Sequence, residues 1–384
     1  MVKTELLNQT RERVAVTISG GKADKVPFLM IAGNYVPYYC GVHPSKIVTM
    51  DDAMKVSRKM AEELGIDCTL APFFPPAMGY HEPREALGEE SLFYMNEEML
   101  SQCRFDKLNI MTKEDYEGII KEPRAYLFNE IFPRRFKLLA GRDKEKIATA
   151  LRTIIRPTTK EDPLTRFENE TGVSVLSCGI GYIPPGDFFL DFVRGFDGIM
   201  SDIKRYPELV RDAGLAMADE RLKLGALSEP LPYKAVGGPL HISPFLSPKD
   251  FEKIYWPSFK KITDGFAAQG YHVQYGFEKN YTHLHDFFLE FPPHRVLGTF
   301  EEDDLYALKR KVGNRMTICG GLKMNVLSLG TTEECVNMTK ALIDTCGAEG
   351  AFMLAPDMPL VFARDAKPEN FRAVAKTIDT YGRF

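Results

Sequence analysis

The sequence lacks the features that mark membrane, secreted and nucleic-acid-binding proteins. No apolar run approaches the roughly 18 residues that a membrane span requires, and the N-terminal segment MVKTELLNQTRERVAV is charged and polar where a signal peptide is apolar. The 49 lysines and arginines are scattered among 53 acidic residues rather than gathered into a stripe. We therefore expect a cytoplasmic protein that binds neither membranes nor nucleic acid.

Paired cysteines and nucleotide-binding motifs are also missing. The seven cysteines are odd in number and form no CxxC pair, so a disulfide framework is not expected. Cys68, Cys178 and Cys319 lie in short apolar runs, where a free thiol packs as a small hydrophobic group, and Cys335 lies on a predicted amphipathic helix. No GxGxxG or GxxxxGK[ST] motif occurs, and the GxG at Gly179 and Gly181 is followed by two prolines. Nucleotide chemistry is therefore not indicated.

What the sequence does contain is a repeated alternation of short apolar runs with longer segments of helical periodicity. Eight runs predict strands, and most are continuously apolar, as expected for parallel strands covered on both faces. They begin at Val26, Asp67, Val173, Tyr233, Tyr271, His294, Met316 and Ala351.

Helix caps separate the later runs. Ser247 with Asp250 and Thr331 with Glu334 predict helix starts, and Pro368 opens the last helix. No low-complexity linker divides the chain. The pattern predicts an α/β fold, a single-domain (β/α)8 TIM barrel over residues 1–384, with an irregular excursion over the barrel mouth at residues 80–122.

In such a barrel, residues at the C-terminal ends of the strands converge on one pocket. Asp357 is the sharpest candidate, because a carboxylate that closes an apolar strand is costly unless it is paired, ligated or catalytic. His272 and Gln274 share one side of a strand, where a functional role and a structural one are both open. The other candidates by position are Asn34, Tyr35, Phe73, Phe74, His81, Tyr182, His241, Glu278 and Cys319.

Three further residues are expected to be structural. His283 and His285 follow strand five on what we predict to be a solvated helix face. Trp256, the single tryptophan, falls inside a predicted helix and is expected to pack in the core.

Several motifs resemble those of the uroporphyrinogen decarboxylase superfamily, which implies the same barrel. AGNYVPYY at 32–39 resembles that family's AGRYLPEY loop, and EALG at 85–88 resembles its QALG. GGLKMNVLSLGTTEEC at 320–335 is similar to its GNLDP..L..GT.EE pattern, and FMLAPDMPL followed by AKPENFRA is similar to its C-terminal ending. The similarity is most specific from about residue 247 onward.

The departures from the decarboxylases bear on function. Met30 and Asn34 stand where that family has the arginines that hold propionate groups, and no aspartate lies near Gly79, where the catalytic aspartate would fall. Asp357 replaces the histidine of the last strand. Without the arginines, a tetracarboxylate substrate would leave several carboxylates unpaired. Decarboxylation of uroporphyrinogen is therefore not expected.

The superfamily's other large branch consists of corrinoid-dependent methyltransferases. Its thiol-acting members carry zinc on an HxC pair and a late cysteine, and the matching positions here are His272, Gln274 and Asp357. These three residues are the candidate metal ligands, and such a set would bind zinc less tightly than thiolates do. The loss of both cysteines is compatible with demethylation of an oxygen-bound methyl group.

The resemblance therefore implies a methyltransferase that moves a methyl group from an aryl methyl ether to the cobalt(I) of a corrinoid (cobalamin) protein. Because a phenolate leaves, the site must supply an acid or a metal, and we expect His272, Asp357, His241 and Glu278 to do so, with or without zinc. Aromatic side chains could enclose the substrate, namely Tyr35, Phe73, Phe74, Tyr182, Tyr275 and Phe277.

Two other functions stay open, as does assembly into a homodimer. A decarboxylase of a smaller carboxylic acid would need Arg364 or Arg84 as its carboxylate anchor. A non-catalytic corrinoid-binding module would leave Asp357 without an evident purpose.

Overall fold

The computed structural model describes residues 3–73, 88, 93–95, 101–103, 109–155, 162–181, 183–225 and 229–384. Every one of the eight predicted runs contains a strand. The strands are β1 Leu29–Met30, β2 Cys68–Thr69, β3 Phe93–Met95, β4 Ser101–Cys103, β5 Ser174–Val175, β6 Ser177–Gly181, β7 Ala235–Leu240, β8 His272–Phe277, β9 Val296–Phe300, β10 Thr317–Leu322 and β11 Phe352–Pro356.

The parallel strands follow one another in the order of a TIM barrel. β1, β2 and β5 form one sheet, and β6 to β11 form a second in unbroken sequence order. Leu176 lies between β5 and β6 and joins the sheets, since its N–H donates to Thr69 and its carbonyl accepts from Ala235. On the opposite side, Phe28 forms a parallel bridge with Leu354. The fold is the predicted α/β barrel, although the hydrogen bonds between its described strands do not close into one continuous sheet.

The helices surround these strands. The last helix begins at Pro368, as predicted, and Thr331 with Glu334 forms a complete capping box. The α-helices are Thr4–Ile18, Tyr35–Tyr39, Met50–Leu64, Asp115–Lys121, Pro123–Tyr126, Lys137–Ala140, Lys144–Ile155, Pro163–Thr171, Pro185–Phe188, Gly195–Arg205, Pro207–Leu224, Pro248–Asp250, Trp256–Ala268, His285–Phe288, Leu305–Val312, Met324–Leu329, Thr332–Leu342 and Pro368–Tyr381.

Shorter helical turns extend several of these elements. The 3₁₀ turns are Pro44–Lys46, Phe132–Arg134, Ser243–Phe245 and Thr282–Leu284, and the π-helical turns are Leu127–Ile131, Phe189–Arg194, Phe251–Tyr255 and Ile343–Gly347. Among the described helices, none has the length and apolarity that would let it cross a membrane.

The N-terminal helix Thr4–Ile18 fills the lower end of the barrel. Its Val14 and Ile18 are fully buried in a cluster with inward-facing strand residues such as Leu297 and Met353. The hydroxyl of Thr317, at the start of β10, donates to the carbonyl of Thr17 at 3.1 Å. The lumen is therefore packed from below, and open space is left at the C-terminal ends of the strands.

The helical segment after β8 is solvated at only one of the two histidines for which we expected it. His285 is buried and its Nε2 lies 2.6 Å from Asp303, which also accepts from the N–H of Tyr281. His283 is exposed, and its Nε2 lies 3.1 Å from the carbonyl of Leu246. The prediction of a solvated position is therefore confirmed for His283 and wrong for His285, because this segment packs between the loops after β7 and β9.

Other structural expectations are confirmed where the chain is described. Trp256 is buried and packs against Phe251, Phe259, Phe287 and Phe291. Cys68, Cys319, Cys335 and Cys346 are buried free thiols, and Cys40 is half-buried. Of the predicted excursion at 80–122, only residue 88, the antiparallel pair β3 and β4 and residues 109–122 are described. The single-domain assignment stays a prediction.

Candidate functional site

A cavity of about 140 Å³ lies at the C-terminal ends of the strands, above the packed lumen. Its walls combine apolar side chains with three carboxylates. Among the described residues it is lined by Ile31, Leu70, Gly238, Pro239, Gln274, Gly276, Phe277, Glu278, Thr299, Glu301, Asp357 and Pro359. Three of the predicted site residues, Gln274, Glu278 and Asp357, are thereby brought together.

The period of two along a strand explains which residues reach this cavity. Gln274 pairs in register with Leu297, which faces the lumen, so Gln274 also faces inward. Glu278 lies four residues after Gln274, just past the end of β8, and therefore points to the same side of the strand. On β9, Thr299 and Glu301 extend the inward-facing positions in the same way. The alternation of side chains thus places the carboxylates of Glu278 and Glu301, which follow the neighbouring strands β8 and β9, in the cavity.

Asp357 is the third carboxylate in the cavity and is anchored on one side. One oxygen accepts from the N–H of Met324 at 3.0 Å, and the other lies 3.5 Å from the ammonium of Lys323. Burial raises the pKa of Asp357, opposed by these two partners. Burial also raises the pKa of Glu301, opposed by the N–H of Lys279. Both groups therefore hold protons more readily than an exposed carboxylate would.

His241 lies beside the cavity between two carboxylates. Its Nδ1 is 2.7 Å from Asp191, and its Nε2 is 3.4 Å from Glu278. Burial disfavours the charged ring, but the hydrogen bonds and charges of Asp191 and Glu278 outweigh it and raise the pKa of His241 to about 10. His241 is therefore an imidazolium at neutral pH, connected to the cavity through Glu278.

Asp187 holds the backbone on which His241 is carried. One of its oxygens accepts from the N–H of His241 at 2.6 Å and of Ile242 at 2.9 Å, and the other accepts from the hydroxyl of Tyr255 at 2.6 Å. The side chain is completely buried. Burial raises the pKa of Asp187 to about 6 although all three donors oppose it.

Other predicted residues lie elsewhere. His272 is the first residue of β8, at the opposite end from the cavity, roughly 20 Å below Glu278 at about 3.3 Å per residue. Burial and nearby Arg295 lower the pKa of His272 to about 4, and its Nδ1 is buried with no hydrogen-bond partner. Cys319 is fully buried in the lumen cluster. Neither lines the cavity.

The predicted aromatic residues mostly face the surrounding helices. Tyr35 is buried and donates to the carbonyl of Ala366, and Asn34 next to it is also buried. The hydroxyl of Tyr275 contacts Thr263, and Phe73 borders a small void beside the helix Met50–Leu64. Phe277 alone of the described aromatic candidates lines the cavity. Phe74, His81 and Tyr182 lie outside the described residues.

Sequence reasoning missed Thr299, Glu301, Asp187 and Asp191. Thr299 and Glu301 could have been predicted from the period of two along β9, because they follow the inward-facing Leu297 at intervals of two residues. The two aspartates are four residues apart in DFFLD, a spacing that places them on one side of a helix. Their partner could not be read from the sequence, since His241 lies fifty residues away.

The residues present do not fit the metal site that the resemblance suggested. Gln274 and Asp357 line the cavity, whereas His272 is at the other end of β8. Within the described ranges, no group of three or more histidine, cysteine, aspartate or glutamate side chains is arranged to hold a metal ion. No step of the chemistry below is assigned to a metal bound by this chain.

Similarity to known proteins agrees with this fold. Residues 242–381 match the family model for uroporphyrinogen decarboxylase (URO-D), so the resemblance to that superfamily is confirmed for this part of the chain. The structure is similar to that of a methyltransferase from Methanosarcina mazei, with a TM-score of 0.58 and 14% identity over 97% of this chain and 98% of that one. At this identity the likeness shows the fold. A comparison with curated proteins gave no match.

Proposed function

We propose that this chain is an enzyme, a methyltransferase that demethylates a small aryl methyl ether and passes the methyl group to the cobalt(I) of a corrinoid carried by a partner protein. The observation that carries the proposal is His241, held as an imidazolium between Asp191 and Glu278 beside a small cavity at the barrel mouth. The superfamily match and the methyltransferase-like fold support the reaction class.

The cavity favours a single neutral ring. Its volume of about 140 Å³ is close to that of an engineered cavity of roughly 150 Å³ that binds benzene. Ile31, Leu70 and Phe277 offer apolar surface, and Gln274 and Thr299 offer hydrogen bonds to an ether or hydroxyl oxygen. A methoxybenzene with one further oxygen substituent has this size and polarity.

The charges of the cavity disfavour the alternative of a decarboxylase. Glu278, Glu301 and Asp357 all line it, and a carboxylic acid substrate would meet like charges there. Arg364, one proposed anchor, stacks on the ring of Phe362 at 4.1 Å and does not line the cavity. The other, Arg84, lies outside the described residues.

Glu278 and His241 together can protonate the oxygen of the leaving group. The methyl–oxygen bond breaks with its electron pair left on oxygen, and a phenolate has a pKa near 10, as tyrosine does. The proton comes from His241: its Nε2 proton moves to the carboxylate of Glu278, which lines the cavity, as Glu278 passes a proton to that oxygen, so Glu278 is a carboxylate before and after the step. Because the pKa of His241 is also about 10, the transfer is nearly balanced in energy. Asp191 keeps the ring of His241 in the orientation that serves Glu278.

Cobalt(I), supplied by the partner, is the methyl acceptor and the nucleophile. The chain's own contribution is to hold the ether, to exclude water from the apolar part of the cavity, and to deliver the proton. A general acid of this kind typically accelerates a reaction by about 10²- to 10⁴-fold.

The test is methyl transfer from guaiacol, veratrole or anisole to cob(I)alamin or to a corrinoid protein, followed as loss of the cobalt(I) absorbance. We expect transfer by the unmodified protein and a loss of roughly 100-fold in Glu278→Gln. The loss should be smaller with 4-nitroanisole, whose leaving group needs a proton less. Absence of transfer across the panel, or release of carbon dioxide from aromatic acids instead, would contradict the proposal.

A further inference from the structure

A second, larger cavity lies outside the barrel mouth. Its volume is about 410 Å³, within the roughly 300–1,000 Å³ of ordinary ligand sites. The segment around Pro123–Tyr126 and Leu127–Ile131 forms one wall, and the helices Pro185–Phe188 and Pro207–Leu224 form the others. It shares none of its described lining residues with the barrel cavity.

The walls of this second cavity are mainly apolar, and four of the thirteen described lining residues are phenylalanines. Phe188 and Phe192 are stacked with ring centroids 5.6 Å apart, and Phe128 and Phe132 face the same space. Phe128 is 39% exposed, although large apolar side chains usually avoid water. Aromatic walls of this kind favour a flat ring as their occupant, because stacked and edge-on contacts both become available.

The charged residues that line the second cavity favour a negatively charged ligand. Two arginines, Arg124 and Arg221, and one glutamate, Glu220, are the charged groups among its described lining residues. The guanidinium of Arg124 lies 3.3 Å from Glu220, and its side chain is 68% exposed, so it can turn toward a ligand. The lining therefore carries one net positive charge, and a guanidinium pairs well with a carboxylate or sulfonate.

We propose that this second cavity binds a planar aromatic anion, with its ring between the phenylalanines and its acidic group at Arg124. The site is distinct from the barrel cavity and does not rest on the methyltransferase proposal. A single turn separates the two sites, since Asp187 and Asp191 contact the His241 loop, while Phe188 and Phe192 line the second cavity.

The test is titration of the whole protein with 1-anilinonaphthalene-8-sulfonate, followed by its fluorescence. This fused, substituted ring system is too large for a cavity of about 140 Å³, so it reports on the second cavity. We expect saturable binding of one probe per chain. 2-Naphthoate should displace the probe at least tenfold more effectively than the neutral 2-naphthol, which has a similar shape.

Two arginine variants locate the site. Arg124→Glu reverses the charge at an exposed position and is expected to weaken probe binding at least tenfold. The matched control is Arg58→Glu, because Arg58 is also exposed and paired with a glutamate but lies on a distant helix. Glu278→Gln, in the barrel cavity, should leave binding unchanged. Non-saturable binding, equal displacement by naphthol, or identical binding in Arg124→Glu and Arg58→Glu would overturn the proposal.

Discussion

At the scale of single residues, His241 is set apart from an ordinary surface histidine by its two acidic partners, Asp191 and Glu278. Two carboxylates from different parts of the chain hold it, one on the helical turn after β6 and one at the end of β8. Their combined effect on its pKa exceeds the penalty of burial. A histidine that stays protonated well above neutral pH can supply both a proton and a positive charge where a phenolate forms.

Replacing this histidine should therefore remove the acid without removing the cavity. In His241→Gln, kcat for methyl transfer is expected to fall by roughly 100-fold or more. In the unmodified protein, kcat should decrease as the pH rises through about 10, where His241 loses its proton, and that decrease should be absent from the residual activity of the variant. His43→Gln, which changes an exposed histidine, is the matched control. An unchanged pH profile in His241→Gln would exclude His241 as the acid.

At the scale of elements, the helical turn Pro185–Phe188 and Phe189–Arg194 positions the candidate site. Asp187 fixes the backbone of His241, and Asp191 fixes its ring. Asp187 is a fully buried carboxylate that accepts three hydrogen bonds. Its negative charge is costly in the folded chain, because burial removes it from water. The consequence is a dependence of stability on pH that can be measured.

Asp187 binds its proton more tightly in the folded chain than in the unfolded chain, with a pKa of about 6 against 3.8. Its contribution to stability is therefore present below the unfolded pKa and is lost as the pH rises toward and through about 6. Asp187→Asn removes this loss. Relative to the unmodified protein, the free energy of unfolding of the variant should increase by roughly 2 kcal/mol between pH 4 and pH 7 in urea titrations. A difference that does not change with pH would contradict the assignment.

The N-terminal helix is a second element whose role can be tested. Ile18 is fully buried in the lumen cluster, whereas Val16 on the same helix is 37% exposed. Ile18→Ala should lower the free energy of unfolding by about 2–5 kcal/mol, because it opens a void under the barrel. Val16→Ala should change it by less than about 0.5 kcal/mol. Equal effects would mean that the helix does not seal the lumen.

At the scale of the whole molecule, the first and the last strand of the barrel, β1 and β11, lie side by side. Residues near β1 bridge to β11, and Leu176 joins the two sheets. Neither sheet can separate without exposing strand edges and lumen residues. We therefore predict that the chain unfolds as one domain, even though its sheets are distinct.

The single tryptophan makes this measurable. Trp256 is buried among phenylalanines on the helix before β8 and reports only on its surroundings. Its fluorescence and the far-ultraviolet circular dichroism, which reports on all helices, should give coincident urea transitions. Two separated transitions would show that part of the chain is an independent unit.

The sequence by itself predicted the barrel and the end of it at which Gln274, Glu278 and Asp357 line a cavity. Continuous apolar runs separated by capped helices leave few arrangements for parallel strands, and each run became a strand. Position at the end of a strand also picked out Glu278, and the period of two put Gln274 on a side that can face the lumen, since both patterns are local; both residues line the cavity.

Only the tertiary structure decided which charged groups meet. Asp191, His241 and Glu278 come from three separate connections, so their proximity depends on how the strands are arranged around the ring. The same holds for His285, which the loops on either side bury. The second cavity too depends on packing between segments distant in sequence. Local patterns fix the side of a strand, whereas contacts between distant segments follow from the closed arrangement of the whole chain.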